Sequence, residues 1–167
     1  MNNKTILHIS LIKGIGPGCV AQIHAVVPYA DFDQLYRWSV QDFMYKARLS
    51  ERQAHALCQG LFDQAILESE LRLIEKHAVQ WVAIGDRDYP ELLKEIPHPP
   101  LVLYWRGCRL KIFDRSIAVV GSRKSNTYGQ QAINAIVHDL AHNNWAIVSG
   151  GALGADTMAH RAALEYG

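Results

Sequence analysis

At 167 residues the chain is long enough for one large domain or two small ones, and its 49% apolar, 20% charged and 9% aromatic residues can bury a core; this excludes a disordered, collagen-like or low-complexity polypeptide. Seventeen Lys and Arg against sixteen Asp and Glu leave a formal charge of +1, so affinity for a polyanion has to come from local clustering. No basic segment followed by a long apolar run opens the sequence, and no stretch approaches the roughly 20 apolar residues that cross a bilayer; the expectation is a soluble, cytoplasmic chain with no membrane partner.

Up to about residue 78 apolar residues recur at helical spacing, with no alternating or β-branched run between them, so residues 1–78 are predicted to form a small all-helical domain. Its first feature is the turn IKGIGPGC from Ile12 to Cys19, where Gly14 and Gly16 permit a tight connection and Pro17 is placed to open a second helix. Helix-hairpin-helix modules carry such a turn, and their exposed amides can hold a DNA phosphate. Lys13 is the only basic residue nearby before His24, so a purely structural turn is preferred. Ser50 and Gln53 have capping-box spacing, predicting a helix through Ala54, Leu57 and Cys58 that ends at Gly60. A further helix fits Phe62 to Ala78, with Leu67, Leu71 and Ile74 on one face and Glu68, Glu70, Arg72 and Glu75 toward water.

After Val79 the pattern changes. Trp81 to Gly85 reads as a strand, ELLKEI as a helical turn stopped by Pro97, and Leu101 to Trp105 as a second strand. Ser116 to Gly121 is a wholly apolar run of the kind expected for a strand covered on both faces. A helix from about Tyr128 to His142, a strand from Trp145 to Gly150 and a helix from about Ala155 to Glu165 complete an alternation that predicts a parallel, doubly wound sheet over residues 79–167. Two clear strand-helix units make a thin sheet with one unprotected edge, so the chain is expected to be the N-terminal portion of a longer protein; an edge capped by a partner subunit is the alternative.

The chemistry is expected at two strand ends. In VVGSRKSNTYG, Gly121 lets the backbone turn sharply, Ser122 offers a hydroxyl, Arg123 can fork onto a phosphate and Lys124 adds a point charge. The G-x-x-x-x-G-K-[ST] spacing of a nucleotide-triphosphate loop is absent. Between Arg106 and Lys124 six basic residues (Arg106, Arg109, Lys111, Arg115, Arg123, Lys124) face one acid, Asp114, a local charge of +5. In SGGALGAD, Ser149 takes the first position of a G-x-G-x-x-G spacing and Gly151 and Gly154 the others. Small residues there admit an anion, and the helix that follows is expected to offer free amides. Asp156 suits the first turn of that helix and His160 could pair with it. The place usually held by a ribose-binding acid is taken by Ser149 and Gly150, so no dinucleotide cofactor is expected.

Other motifs carry less. His138 and His142 have the spacing of a zinc helix, but the glutamate of H-E-x-x-H is missing, so neither a metalloprotease nor a metal site is expected. No G-x-S-x-G elbow is present. Cys19, Cys58 and Cys108 lie far apart without a C-x-x-C pair, which reads as buried thiols.

Taken in order, DYPELLKEIPHPPLVLYWRG, VVGSRK, YG and SGGALGADTMAHRAAL resemble the DNA-processing protein A (DprA/Smf) family, whose S-G-x-A-x-G-x-D-x-x-A-H-x-x-A-L pattern the last block matches. Ala155 stands where the family more often has isoleucine. The resemblance implies an α/β fold, a Rossmann-like parallel sheet that members carry on into another strand and ligand-lining loop, preceded by a SAM-like or helix-hairpin-helix domain. It also implies a non-enzymatic protein of natural transformation that binds single-stranded DNA, protects the incoming strand and delivers it to the RecA recombinase, without a cofactor and with room for a homodimer. Carried over, Gly121, Ser122 and Arg123 hold phosphate, Lys124 adds charge, and Ser149, Gly150, Gly151 and Gly154 shape the facing wall, with Asp156 and His160 as supports. The alternative is a Rossmann-like nucleotide-processing enzyme of the nucleoside monophosphate phosphoribohydrolase type, with Asp156 facing the glycosidic bond. A third reading is an interaction module whose helical domain recruits a partner.

Overall fold

The computed structural model describes residues 3–107 and 115–167, and the chain divides into two compact units, Met1–Leu110 and Lys111–Gly167. The first contains α1 (Lys4–Ser10), α2 (Pro17–His24), a 3₁₀ segment (Tyr29–Arg37), α3 (Val40–Tyr45), α4 (Glu51–Phe62), α5 (Gln64–Lys76), β1 (Gln80–Ala83), the short α6 (Glu91–Lys94) and β2 (Val102–Trp105). Gly14 takes a φ of +87°, the left-handed conformation that glycine reaches at little cost, and Pro17 opens α2. The α1–α2 turn is anchored by its own apolar residues, since Ile12 and Ile15 are buried.

The capping box forms as the spacing predicts: Gln53 N–H donates to Ser50 Oγ at 3.4 Å and Ser50 N–H donates to Gln53 Oε1 at 3.1 Å. Yet α4 passes through Gly60 and ends at Phe62. A Cβ at Gly60 would lie 2.5 Å from Ile12 Cγ1, so this glycine lets the segment after α1 close onto α4. α5 accordingly starts later than expected, after Asp63, whose side chain accepts from Ala65 N–H at 3.2 Å.

β1 and β2 pair antiparallel, Gln80 opposite Trp105 and Ala83 opposite Val102. A two-stranded ribbon of four-residue strands cannot bury a face alone, and this one uses the helices: Val82, Ala83, Ile84 and Leu101 share one buried cluster with Ile6, Ile9, Val20 and Phe32. The compact unit therefore extends past the change in sequence pattern near residue 79, and these strands form their own sheet, separate from the parallel one. The Asp86 carboxylate fastens the ribbon, accepting from Ala83 N–H at 2.8 Å and from Asn3 N–H at 2.9 Å. His8 is wholly buried in the same unit, where Tyr36 Oη–H donates to Nδ1 at 3.0 Å and Nε2–H donates to the Asp63 carbonyl at 3.1 Å.

The second unit contains β3 (Ser116–Ala118), α7 (Thr127–His142), β4 (Ala146–Val148) and α8 (Ala155–Tyr166). β3 and β4 run parallel, Ser116 opposite Ala146 and Ala118 opposite Val148, and Val119 N–H continues the ladder to the Val148 carbonyl at 2.9 Å. α7 and α8 pack chiefly on each other, around Val137, Ala159 and Ala162 with Ile133, Ile147 and Tyr166 half-buried beside them. The expectation of a strand covered on both faces is not met among the described residues: all three residues of β3 are exposed, because α7 and α8 pack on each other and on β4 rather than on β3. No helix among the described residues is long and apolar enough to cross a membrane.

Candidate functional site

The parallel pairing of β3 and β4 brings their C-terminal ends side by side, and with them the two loops singled out in the sequence. The first, Gly121 to Lys124, is held by a hydroxyl turn: Lys124 N–H donates to Ser122 Oγ at 3.1 Å, and that hydroxyl donates to the Lys124 carbonyl at 3.2 Å. The second runs from Ser149 to Gly154. Ser149 Oγ–H donates to the Val119 carbonyl at 2.7 Å, stitching the two strand ends together.

The loops interlock through glycine. Gly154 has a φ of +85°, and a Cβ there would overlap the Ser122 carbonyl oxygen and the Arg123 backbone. Ala155 N–H donates to the Ser122 carbonyl at 3.1 Å. On the other side a Cβ at Gly121 would lie 2.7 Å from the Ala155 Cβ. Gly151, with a φ of +69°, faces open space, so its role is the turn itself. All eight residues proposed from the sequence (Gly121, Ser122, Arg123, Lys124, Ser149, Gly150, Gly151, Gly154) therefore sit on one pair of touching loops, although the two serine hydroxyls are spent on loop structure.

α8 holds the second loop in place. Asp156 is only 8% exposed; Ala152 N–H donates to its Oδ2 at 3.3 Å, and a Cβ at Gly150 would lie 3.0 Å from the same oxygen. His160 Nε2 lies 3.4 Å from the Ser149 carbonyl. Thr157 Oγ1–H donates to the Ala152 carbonyl at 2.6 Å, a fastening that sequence reading missed because a threonine in a first helical turn has many uses. Asn126, also missed, caps α7 by accepting from Gly129 N–H at 2.9 Å; an Asn directly before a helix was the available signal.

One expectation is corrected. The start of α8 was to offer free amides, but Ala155 N–H serves the Ser122 carbonyl, Thr157 N–H the Ala152 carbonyl at 3.1 Å and Met158 N–H the Gly154 carbonyl at 3.0 Å. Ala155 and Thr157 are thus spent on the loops and Met158 makes the ordinary first bond of the helix, while Asp156 N–H has no acceptor among the described residues. Gly121, Ser122, Arg123, Gly150 and Gly151 are exposed, and their N–H groups have no acceptor among the described residues. Arg123 and Lys124 are exposed, and no carboxylate among the described residues pairs with them. Of the basic segment, Arg109 and Lys111 lie outside the described residues, as do Cys108 and Asp114. Among the described residues no group of three or more His, Cys, Asp or Glu converges as a metal cluster would.

This arrangement has close counterparts. The DNA processing protein DprA of Bacillus subtilis is 34% identical over 96 residues, covering 57% of this chain and 32% of that protein. Protein Smf of Borreliella burgdorferi is 37% identical over 104 residues, covering 62% of this chain and 33% of that protein. The chain thus spans about a third of the length of these relatives. The X-ray structure of DNA processing protein A from Streptococcus pneumoniae superimposes with a TM-score of 0.76 at 25% identity, covering 99% of this chain and 56% of that one, which places the helical part and the Rossmann-like α/β part within one known architecture. The family model for DNA recombination-mediator protein A matches residues 80–167, just over half of the chain and including both loops of the site; the chain belongs to the DNA recombination-mediator protein A (DprA/Smf) family.

Proposed function

We propose that the paired loops bind the sugar-phosphate backbone of single-stranded DNA, and that the protein of which this chain is all or part protects incoming DNA in the cytoplasm during natural transformation and passes it to the RecA recombinase. The observation that supports this most is the interlock of Gly154 with Ser122 and Arg123. It fixes a small-residue corner directly beside two exposed cations, and phosphate contacts dominate sequence-tolerant nucleic-acid binding. The engagement of Asp156 with the loop amide of Ala152 favours a binding role over glycosidic-bond hydrolysis, because a carboxylate spent on loop structure is not aimed at a substrate.

Titration of fluorescent oligonucleotides of mixed sequence, repeated from low to moderate salt, tests the proposal. Binding should weaken steeply with salt, and Arg123→Ala should weaken it uniformly across sequences while lowering the slope of log K against log salt by about 1. An unchanged slope removes Arg123 from the interface, and salt-independent binding overturns the phosphate reading. Release of free base from nucleoside monophosphates, abolished by Asp156→Asn, would replace it with the enzymatic one.

A further inference from the structure

We propose that His138 and His142 on α7 form a chelating site for a late first-row divalent cation, Cu²⁺ ahead of Ni²⁺ and Zn²⁺. The residues stand four apart on one helix, so their rings share a face; the ring centroids are 4.4 Å apart with planes inclined by 30°. The other nitrogen of each ring carries the argument. His138 Nδ1 lies 3.0 Å from Asp139 Oδ1, and His142 Nδ1 lies 3.1 Å from the His138 carbonyl oxygen. Both partners are acceptors, so in the neutral rings Nδ1 bears the hydrogen and Nε2 presents its lone pair. Metal-ligating histidines are set up in this way: the second ring nitrogen donates to a carboxylate or a backbone carbonyl, which fixes the tautomer and raises the basicity of the ligating nitrogen.

Neither Nε2 has a hydrogen-bond partner among the described residues, and both side chains are exposed. The His138 ring is steadied by Tyr166, which it meets edge to face at 4.8 Å. Since no third His, Cys, Asp or Glu of the described residues joins them, the chain supplies two nitrogens, and water or an added ligand supplies the rest. Two imidazoles with open positions suit Cu²⁺, Ni²⁺ and Zn²⁺, with Cu²⁺ bound tightest, whereas Mg²⁺ and Ca²⁺ prefer oxygen. The pair begins about 16 Å along α7 from its first residue, at 1.5 Å per residue, so its substitution leaves the Gly121–Lys124 loop in place.

Calorimetric titration of the 167-residue chain with CuCl₂, NiCl₂ and ZnCl₂ in a weakly coordinating buffer tests the site. One ion per chain is expected, with Cu²⁺ tightest. His138→Ala and His142→Ala should each lose about 10²-fold in affinity and the double variant little more, because a chelate needs both arms. Asp139→Asn should weaken binding about tenfold without itself meeting the ion. Electron paramagnetic resonance of the Cu²⁺ complex should show coupling to two imidazole nitrogens, reduced to one in either single variant. Circular dichroism checks that α7 stays helical. Single variants binding within about twofold of the parent, or binding abolished only by His55→Ala or His77→Ala, would overturn the proposal.

Discussion

A methyl group at position 154 or 151 separates two roles of glycine in the site. At Gly151 the φ of +69° opens onto empty space, so Gly151→Ala should cost only the left-handed backbone penalty, about 1–2 kcal/mol. At Gly154 the same strain is joined by overlap with the Ser122 carbonyl and the Arg123 backbone, so Gly154→Ala should cost about 3 kcal/mol or more and also weaken binding of single-stranded DNA by parting the loops. Thermal unfolding and the oligonucleotide titration measure both; equal costs at the two positions would refute the interlock. The spacing of these glycines was legible in the sequence, whereas their division of labour was not, because it depends on which backbone lies opposite. His8 supplies a second residue-scale effect. Burial lowers its affinity for a proton below that of the unfolded chain, outweighing its contact with the Asp63 carbonyl. The unfolded state then binds more protons, so His8's contribution is intact above its ordinary pKa of 6.5 and is lost as pH falls below it. The melting temperature should drop between pH 7 and pH 5, and His8→Gln should flatten that part of the profile.

Among the elements, α4 is the instructive one. Its start was readable because Ser50 and Gln53 carry the cap in their own side chains, and Ser50→Ala should cost about 1 kcal/mol in thermal denaturation. Its end was not, since Gly60 reads as a stop signal unless Ile12 is known to lie against it. An ordinary helical glycine gains up to about 1 kcal/mol on becoming alanine. Here three Ile12 carbons would stand within 2.9 Å of the new methyl group, and crowding of that kind costs about 1–3 kcal/mol. Gly60→Ala should therefore destabilise the protein, and Ile12→Ala in the same chain should relieve part of that loss. The strand ends of the second unit were legible for a different reason: a parallel pair places both its C-terminal loops at one edge, so two motifs some thirty residues apart in sequence had to meet.

The whole molecule is uneven. The first unit buries a continuous apolar cluster that includes Ile6, Ile23, Phe43 and Leu57, all fully covered, while the second centres on Val137, Ala159 and Ala162. Hydrogen exchange should therefore be slower in α1 and α4 than in β3 and β4, since local opening free energy follows buried apolar contact; faster exchange in α4 would refute this. The change of pattern near residue 79 marked where strands begin but not where the first unit ends, because the β1–β2 ribbon is completed by residues distant from it in sequence. The clearest such link is Asp86, whose carboxylate receives the backbone N–H of Asn3, the residue that caps α1. On a ribosome this clasp has to wait for 83 further residues, about 4 to 17 seconds at 5–20 residues per second. The first turn of α1 therefore stays unfastened until Asp86 has joined the nascent polypeptide.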